Sequence, residues 1–172
     1  CGGSIAGNTI RGIGRNGLSA VDSSGLGVDG NVIEECEDNA IRVWRWKAGH
    51  DGTRVHNNRI RAVRSRSGGT GQNGNGVSVY LADGVSVIGN DVRDCAWSAL
   101  RNNSCRNVVF ADNSCANVGE TAIWAEFAFR DVVIANNKVS GAGAGISMTN
   151  LAEHNGRGAI CTGNEARGIR PI

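Results

Sequence analysis

Aromatic and basic side chains recur together in short apolar stretches of this 172-residue chain. The residues concerned are Arg42, Trp44, Arg45, Trp46, Tyr80, Arg101 and Trp124. Flat aromatic rings stack on other flat groups, and arginine forms charge-assisted hydrogen bonds with carboxylates. If one surface presents these side chains, it suits a sugar polymer that carries carboxylates. We therefore expect an acidic polysaccharide as the partner and assign substrate binding to Arg42, Trp44, Arg45, Trp46 and Trp124.

Catalytic groups are fewer than binding groups. Hydrolysis of a glycosidic bond needs paired carboxylates, and the candidate surface offers Glu126 alone, with Asn103 and Thr149 on either side of it. A lyase or epimerase needs a cation beside the uronate carboxylate and a base for the proton at C5. Arg42 or Arg101 can fill the first role, and Tyr80 or His50 the second. Our catalytic candidates are Tyr80, Arg101 and Glu126, and whether the protein is an enzyme stays open.

Composition and charge exclude several other classes of function. A formal charge of +2 at pH 7 is too balanced to favour nucleic-acid binding. No Cys/His spacing resembles a zinc site and no carboxylates cluster as calcium requires, so we expect neither a metal nor a cofactor. No apolar run reaches the roughly 18 residues of a membrane span.

An internal repeat organises the chain. Its marker is an asparagine that recurs at intervals of 23 to 32 residues, at Asn8, Asn31, Asn58, Asn90, Asn113, Asn137 and Asn164. An apolar residue or cysteine stands three residues before, two after and five after every one of them. Short runs that alternate with period 2 indicate β-strands, and the glycine and asparagine between them indicate turns.

A further strand follows about ten residues after most of these asparagines. Its inward residues begin with Leu18, Ile41, Val77, Leu100, Ile123 and Ile146, and residues 64–75 form an insertion that displaces the third copy. Side chains alternate between the two faces of a strand. Its outward positions are therefore Ser19, Arg42, Ser78, Arg101, Trp124 and Ser147, followed two residues later by Val21, Trp44, Tyr80, Asn103, Glu126 and Thr149.

Three short strands per repeat predict an all-β fold, a single-stranded right-handed parallel β-helix of about seven coils. The recurring asparagines are expected to stack inside it, each amide bonding the next, because a buried column satisfies its own polar groups. Asparagine also tolerates the left-handed conformation that tight turns need. The alternative is a leucine-rich repeat, which the five leucines of the chain and its additional strand disfavour.

Residues 30–36 (GNVIEEC), 89–95 (GNDVRDC) and 131–139 (DVVIANNKV) carry a family likeness. The chain resembles right-handed parallel β-helices of the pectate-lyase-like superfamily, most specifically a bacterial twin-arginine-translocated repeat family of unassigned activity. The resemblance implies that the additional strand builds the substrate face and that inserted loops wall it. It also implies export, to the periplasm or the cell exterior.

Four of the six cysteines take inward repeat positions that valine and isoleucine hold in other copies: Cys36, Cys95, Cys115 and Cys161. Cys36 and Cys95 would lie two coils apart, about 9.6 Å at the spacing of strands in a sheet. A disulfide needs Cα atoms within about 7 Å. We therefore expect small buried side chains with free thiols.

We interpret residues 1–172 as one β-helix domain, a fragment of a longer solenoid, because neither end offers a capping helix. Uncapped ends invite end-to-end self-association. Two functions stay open at this point. One is an exported β-helix that binds, and in one version processes, an acidic polysaccharide. The other is a structural or surface-assembly rod, whose aromatic rings pack beneath loops or against a partner.

Overall fold

A computed structural model describes residues 2–69, 71–150 and 155–170. These residues form twenty β-strands, all paired in parallel, and contain no α-helix. The strands build three sheets, to which successive coils each contribute a strand, so every neighbour within a sheet comes from the preceding or following coil. The predicted parallel β-helix is confirmed.

Sheets A and B follow one another along each coil. Sheet A consists of β1 (Gly3–Ala6), β4 (Leu26–Asp29), β7 (Arg54–His56), β10 (Ser86–Ile88), β13 (Val109–Ala111), β16 (Arg130–Ala135) and β19 (Arg157–Thr162). Sheet B consists of β2 (Thr9–Ile13), β5 (Val32–Cys36), β8 (Arg59–Val63), β11 (Asp91–Cys95), β14 (Ser114–Val118), β17 (Lys138–Ser140) and β20 (Glu165–Arg167).

Sheet C holds the additional strand predicted in each repeat. Its members are β3 (Leu18–Val21), β6 (Ile41–His50), β9 (Val77–Asp83), β12 (Leu100–Asn103), β15 (Thr121–Glu126) and β18 (Ala144–Thr149). Strand β6 is longer than its neighbours, and its pairing with β9 shifts register between Trp44 and Gly49. The residues between them therefore bulge out of the sheet.

The asparagine ladder lies inside the solenoid, between sheets A and B. Asn31, Asn58, Asn90, Asn113 and Asn137 are all buried. Each Nδ2 donates to the Oδ1 of the next ladder asparagine at 2.9 or 3.0 Å. The same Oδ1 accepts the backbone N–H of the preceding ladder asparagine. The column thus satisfies its own buried polar groups, as predicted.

One detail of the turn differs from the expectation. The left-handed residue is the one before each ladder asparagine, namely Gly7, Gly30, Asn57, Gly89, Asp112, Asn136 and Gly163. The ladder asparagine itself keeps a negative φ. The preceding residue turns the corner, and the asparagine can then start the next strand with its side chain directed inward.

Valine, isoleucine and cysteine columns fill the rest of the interior. Cys36, Cys95 and Cys115 are buried with free thiols, as predicted, and burial raises the pKa of Cys36 to about 11 and that of Cys115 to about 12. Cys161 has a free thiol but is exposed, so the prediction of burial is wrong for it. Its strand, β19, is the last one of sheet A, and no further described coil covers it.

Candidate functional site

The outer face of sheet C carries the two predicted columns of side chains. Backbone pairing aligns the first as Ser19, Arg42, Ser78, Arg101, Trp124 and Ser147. It aligns the second as Val21, Trp44, Tyr80, Asn103, Glu126 and Thr149. Since hydrogen bonds between coils fix this register, the two columns share one surface.

An aromatic cluster occupies the β6–β9 part of this face. The ring centres of Trp44 and Tyr80 are 5.2 Å apart with the planes tilted by 52°. The Arg42 guanidinium carbon lies 4.3 Å from the centre of the Trp44 ring, and Trp44 Nε1 donates to Ser78 Oγ at 3.3 Å. Trp46 stands on the bulge of β6 and is 73% exposed. This exposed ring beside an ordered pair is suited to stacking against a flat ligand.

A cleft of about 510 Å³ opens beside these rings, and we call it the sheet C cleft. Its lining residues are Trp44, Trp46, Gly71, Gln72, Ser78, Tyr80, Arg101, Asn103 and Phe127. The volume falls in the range of roughly 300–1,000 Å³ typical of ligand sites, and aromatic walls with a few polar groups are the usual lining of such sites.

Residues of the 64–75 insertion form one wall of the cleft. The backbone N–H and the hydroxyl of Ser67 donate to the two carboxylate oxygens of Asp38, at 2.9 and 2.8 Å. Asn75 Nδ2 donates to the carbonyl of Gly71 at 2.9 Å, and Asn39 Nδ2 donates to the carbonyl of Gln72 at 3.1 Å. Ser67 and Gln72 are therefore both held to the turn that precedes β6.

Asn39 and Asn75 belong to a second, shorter ladder that the sequence analysis missed. Asn39 Nδ2 donates to Asn16 Oδ1 at 3.1 Å, and Asn39 Oδ1 accepts from Asn75 Nδ2 at 3.2 Å. Asn75 Oδ1 then accepts the backbone N–H of Ser98 at 3.2 Å. A signal was present, because Asn16, Asn39 and Asn75 each stand two residues before the first inward residue of a sheet C strand.

Gly71 brings the insertion onto Arg101. Its φ of +108° lies in a region that favours glycine, and a Cβ at this position would be 1.8 Å from Arg101 Nη1. Only a residue without a side chain lets the loop pass so close to the guanidinium. Arg101 Nη1 is buried and has no hydrogen-bond partner among the described residues.

Arg101 is itself paired with Glu126. Nε donates to Glu126 Oε1 at 2.7 Å, and Nη2 lies 2.5 Å from the same oxygen. Asn103 Nδ2 also donates to Oε1, at 3.0 Å. Arg101 is 6% exposed and Glu126 is 1% exposed. Burial raises the pKa of Glu126, although the Arg101 charge and these hydrogen bonds oppose that shift.

Glu120 is a second carboxylate near this pair, which the sequence analysis did not single out. It precedes β15 and lies close enough for its pKa to respond to both Arg101 and Glu126. Burial is the main cause that raises this pKa, with Arg101 opposing and Glu126 adding to the rise. Its Oε2 is buried and has no hydrogen-bond partner in the part of the chain that the structure describes.

The structure thus separates the candidate residues into three groups. Those that line the cleft are Trp44, Trp46, Tyr80 and Arg101. Those on the same face beside it are Arg42, Trp124 and Glu126. Trp124 packs 5.2 Å from the Arg101 guanidinium carbon and donates through Nε1 to Thr149 Oγ1 at 3.1 Å.

Arg45 forms the third group by itself. Its Nη1 donates to the carbonyl of Ser23 at 3.0 Å and lies 3.8 Å from Asp51, outside the cleft lining.

Sequence reasoning missed Gln72 and Phe127 as lining residues. Gln72 belongs to the aperiodic insertion, and Phe127 follows the last residue of β15, so neither carried a repeat signal.

Within the described ranges, no three His, Cys, Asp or Glu side chains come together in a way that could hold a metal ion. The same residues contain no helix of the length and apolarity needed to cross a membrane.

Comparison with known proteins agrees with the architecture. A family model described as a right handed beta helix region matches residues 1–155. No curated protein matches the chain.

Proposed function

The chain belongs to the right-handed β-helix family, and on that premise we propose that it binds an acidic polysaccharide in the sheet C cleft. The observation that carries the proposal is the cleft itself, about 510 Å³ in volume, with Trp44, Trp46 and Tyr80 in its lining beside Arg101. We place the chain among the pectate-lyase-like β-helices as part of the same proposal.

Stacking supplies the contact to the sugar rings. Among the described residues, Trp46 is the most exposed of the large apolar side chains. Trp44 and Tyr80, which lie on adjacent coils, together present a second aromatic surface. Ser78 and Asn103 line the same cleft and offer hydroxyl and amide groups to sugar hydroxyls. Aromatic walls with a few polar groups suit a ligand that is flat on its faces and polar at its edges.

Two arginines support a preference for acidic sugars. Arg101 lines the cleft, and Arg42 forms no ion pair with a described carboxylate. Burial lowers the pKa of Arg42, but the group stays protonated at neutral pH because an arginine pKa starts above 12. Arg42 stands in the same column as Arg101, two coils away with Ser78 between them, so it adds a positive charge to this face that no described carboxylate pairs.

Processing of the polymer is a second version of this proposal, and the joint presence of Tyr80 and Arg101 in the cleft lining favours it. Arg101 would neutralise the uronate carboxylate, Tyr80 would move the proton at C5, and Glu126 would orient Arg101. A lyase reaction would give an unsaturated uronate, which absorbs ultraviolet light, and Tyr80→Phe would abolish that signal. If the protein binds the polymer but forms no unsaturated product, it is a binding module without catalytic activity.

The binding proposal is tested by replacing Trp46. Trp46→Ala is expected to weaken binding to uronate polymers by about 0.5–1.5 kcal/mol, roughly two- to tenfold in Kd, because it removes one stacking ring. Electrophoresis in gels loaded with each polymer, followed by titration calorimetry, measures the change. The control is Ile160→Ala, which removes another exposed apolar side chain, from sheet A.

Equal losses in Trp46→Ala and Ile160→Ala would contradict the assignment of the cleft. An absence of binding to every polymer, together with concentration-dependent end-to-end oligomers, would instead favour the structural rod.

Export to the periplasm or the cell exterior is also part of the proposal, supported by the resemblance to exported repeat proteins. Fractionation of the source cells with an antibody against sheet C peptides would test it.

A further inference from the structure

The charge of the cleft is set by a pair of residues rather than by one. Arg101 is the only Lys or Arg among the described lining residues, and two of its nitrogens are bound to Glu126 Oε1. The guanidinium and carboxylate charges compensate one another. An incoming carboxylate therefore meets a neutral pair, and it gains little attraction while Glu126 is ionised.

We propose that Glu126 determines how the cleft distinguishes acidic from neutral sugars, an inference that rests on the proposed function. An acidic sugar is bound beside Arg101 together with one proton, which Glu126 takes from solvent. A neutral sugar is bound without that proton. The only chemical change is a proton transfer: a buffer acid in the solvent loses the proton and the Glu126 carboxylate gains it, while the sugar carboxylate takes over as the counter-charge of Arg101.

The position of Glu126 makes protonation its response to the negative charge of an acidic sugar. Glu126 is 1% exposed and ends strand β15, with β12 on one side and β18 on the other. Water cannot screen a second negative charge brought to the same guanidinium, and like charges that share a site raise each other's pKa. A protonated Glu126 keeps a carbonyl oxygen that can still accept from Arg101 or Asn103.

The charged groups around Glu126 come from two elements. Strand β12 contributes Arg101 together with the neutral Asn103, and the turn before β15 contributes Glu120. Strand β18 places the neutral Thr149 beside it. Burial raises the pKa of both glutamates, so each stands closer to protonation at neutral pH than a surface glutamate. Glu120 is thus the competing proton acceptor, and the test must separate the two.

The direction of the pH effect follows from the proton uptake. Affinity for an acidic oligosaccharide rises as pH falls, by about tenfold per pH unit where one proton is taken up per ligand bound. It stops rising once Glu126 is protonated in the free protein. Affinity for an uncharged ligand stays level over the same range.

Titration calorimetry in buffers of different ionisation enthalpy counts the protons directly. The probes are oligogalacturonate and oligomannuronate, each compared with its fully methyl-esterified form, which keeps the chain and removes the charge. The proteins are the wild type, Glu126→Gln and Glu120→Gln. The wild type is expected to take up about one proton with an acidic probe and none with its ester.

Glu126→Gln is expected to take up no proton and to bind the acidic probe at pH 7 at least about tenfold more tightly than the wild type, while Glu120→Gln behaves as the wild type. If the wild type binds an acidic probe without proton uptake, this inference is overturned while the proposed function stands. That measurement needs no variant. Loss of uptake in Glu120→Gln, or its survival in Glu126→Gln, overturns it too. If no probe binds, the proposed function falls, and the inference falls with it.

Discussion

Arg101 and Glu126 form the tightest polar contact on the outer face of sheet C, and both side chains are almost fully buried. A pair in this position does not by itself imply high stability, because removing two charges from water costs about as much as their attraction returns. Breaking the pair is different, since it leaves one buried charge without a partner. The residues therefore depend on each other more than the fold depends on them.

Replacing Arg101 by methionine should destabilise the protein by about 3–5 kcal/mol at neutral pH, because ionised Glu126 is left uncompensated. The pKa of Glu126 is already raised in the folded state, and the substitution raises it further. Protonation then favours the folded form, so the loss should shrink as the pH falls from 7 towards the ordinary pKa of glutamate. Urea unfolding at several pH values measures this.

Arg42→Met is the matched control, because Arg42 is a half-buried arginine of the same column without an ion pair to a described carboxylate. It should show a smaller loss with no comparable pH dependence. The double variant Arg101→Met/Glu126→Gln should regain most of the stability. A loss in Arg101→Met that is the same at every pH would contradict the role of Glu126.

The 64–75 insertion is the element that converts a flat sheet face into a cleft. Sheet C alone would expose Arg101 to solvent, as Arg11 and Arg59 are exposed on sheet B. The insertion covers it with Gly71 and adds a wall held by Asp38, Asn39 and Asn75. The shape of the binding surface therefore depends on one loop and its anchors.

Gly71→Ala should disturb this wall, because its Cβ would meet the Arg101 guanidinium at 1.8 Å. We expect cleft binding to weaken by about tenfold and stability to fall by about 1–2 kcal/mol from the strained backbone. Gly68→Ala is the control, since Gly68 also has a positive φ but a Cβ there meets nothing within 4 Å. Equal effects of the two substitutions on ligand Kd would show that the wall does not shape the site.

The whole molecule is held together by contacts that repeat from coil to coil. Backbone pairing, the apolar columns and the asparagine ladder all run along the same axis. Each coil contacts its neighbours only, so damage in the middle of the solenoid disrupts two interfaces and damage in a terminal coil disrupts one.

Asn90→Ala should therefore cost at least about 2 kcal/mol, because every buried polar group left without a partner costs roughly 1–3 kcal/mol. Asn90 Oδ1 accepts from both the backbone and the side-chain nitrogen of Asn58. Asn8→Ala removes an exposed ladder member from the first coil and should cost less than about 1 kcal/mol. Thermal or urea unfolding compares the two. Similar losses would mean that the ladder is not a cooperative column.

The repeat of Asn31, Asn58 and Asn90 with its apolar neighbours sufficed to predict the fold, the three sheets and the register of both outward columns. That success has a physical cause: each coil hydrogen-bonds directly to the next, so equivalent sequence positions must stack. The same pattern placed Trp44 beside Tyr80 and Arg101 beside Trp124. It also predicted the buried free thiols of Cys36 and Cys95, but its prediction of burial was wrong for Cys161, which lies in the last described coil.

The pairing and the burial of the side chains on the outer face of sheet C could not be predicted from this repeat. The sequence by itself determined which side chains share the outer surface of sheet C, since strand alternation and coil stacking are local rules. Only the tertiary structure decided that Arg101 is covered by Gly71 and bound to Glu126, and that Arg45 turns to Ser23 and Asp51. These outcomes depend on an aperiodic insertion and on a bulge in β6, whose paths are set by contacts between residues far apart in the chain.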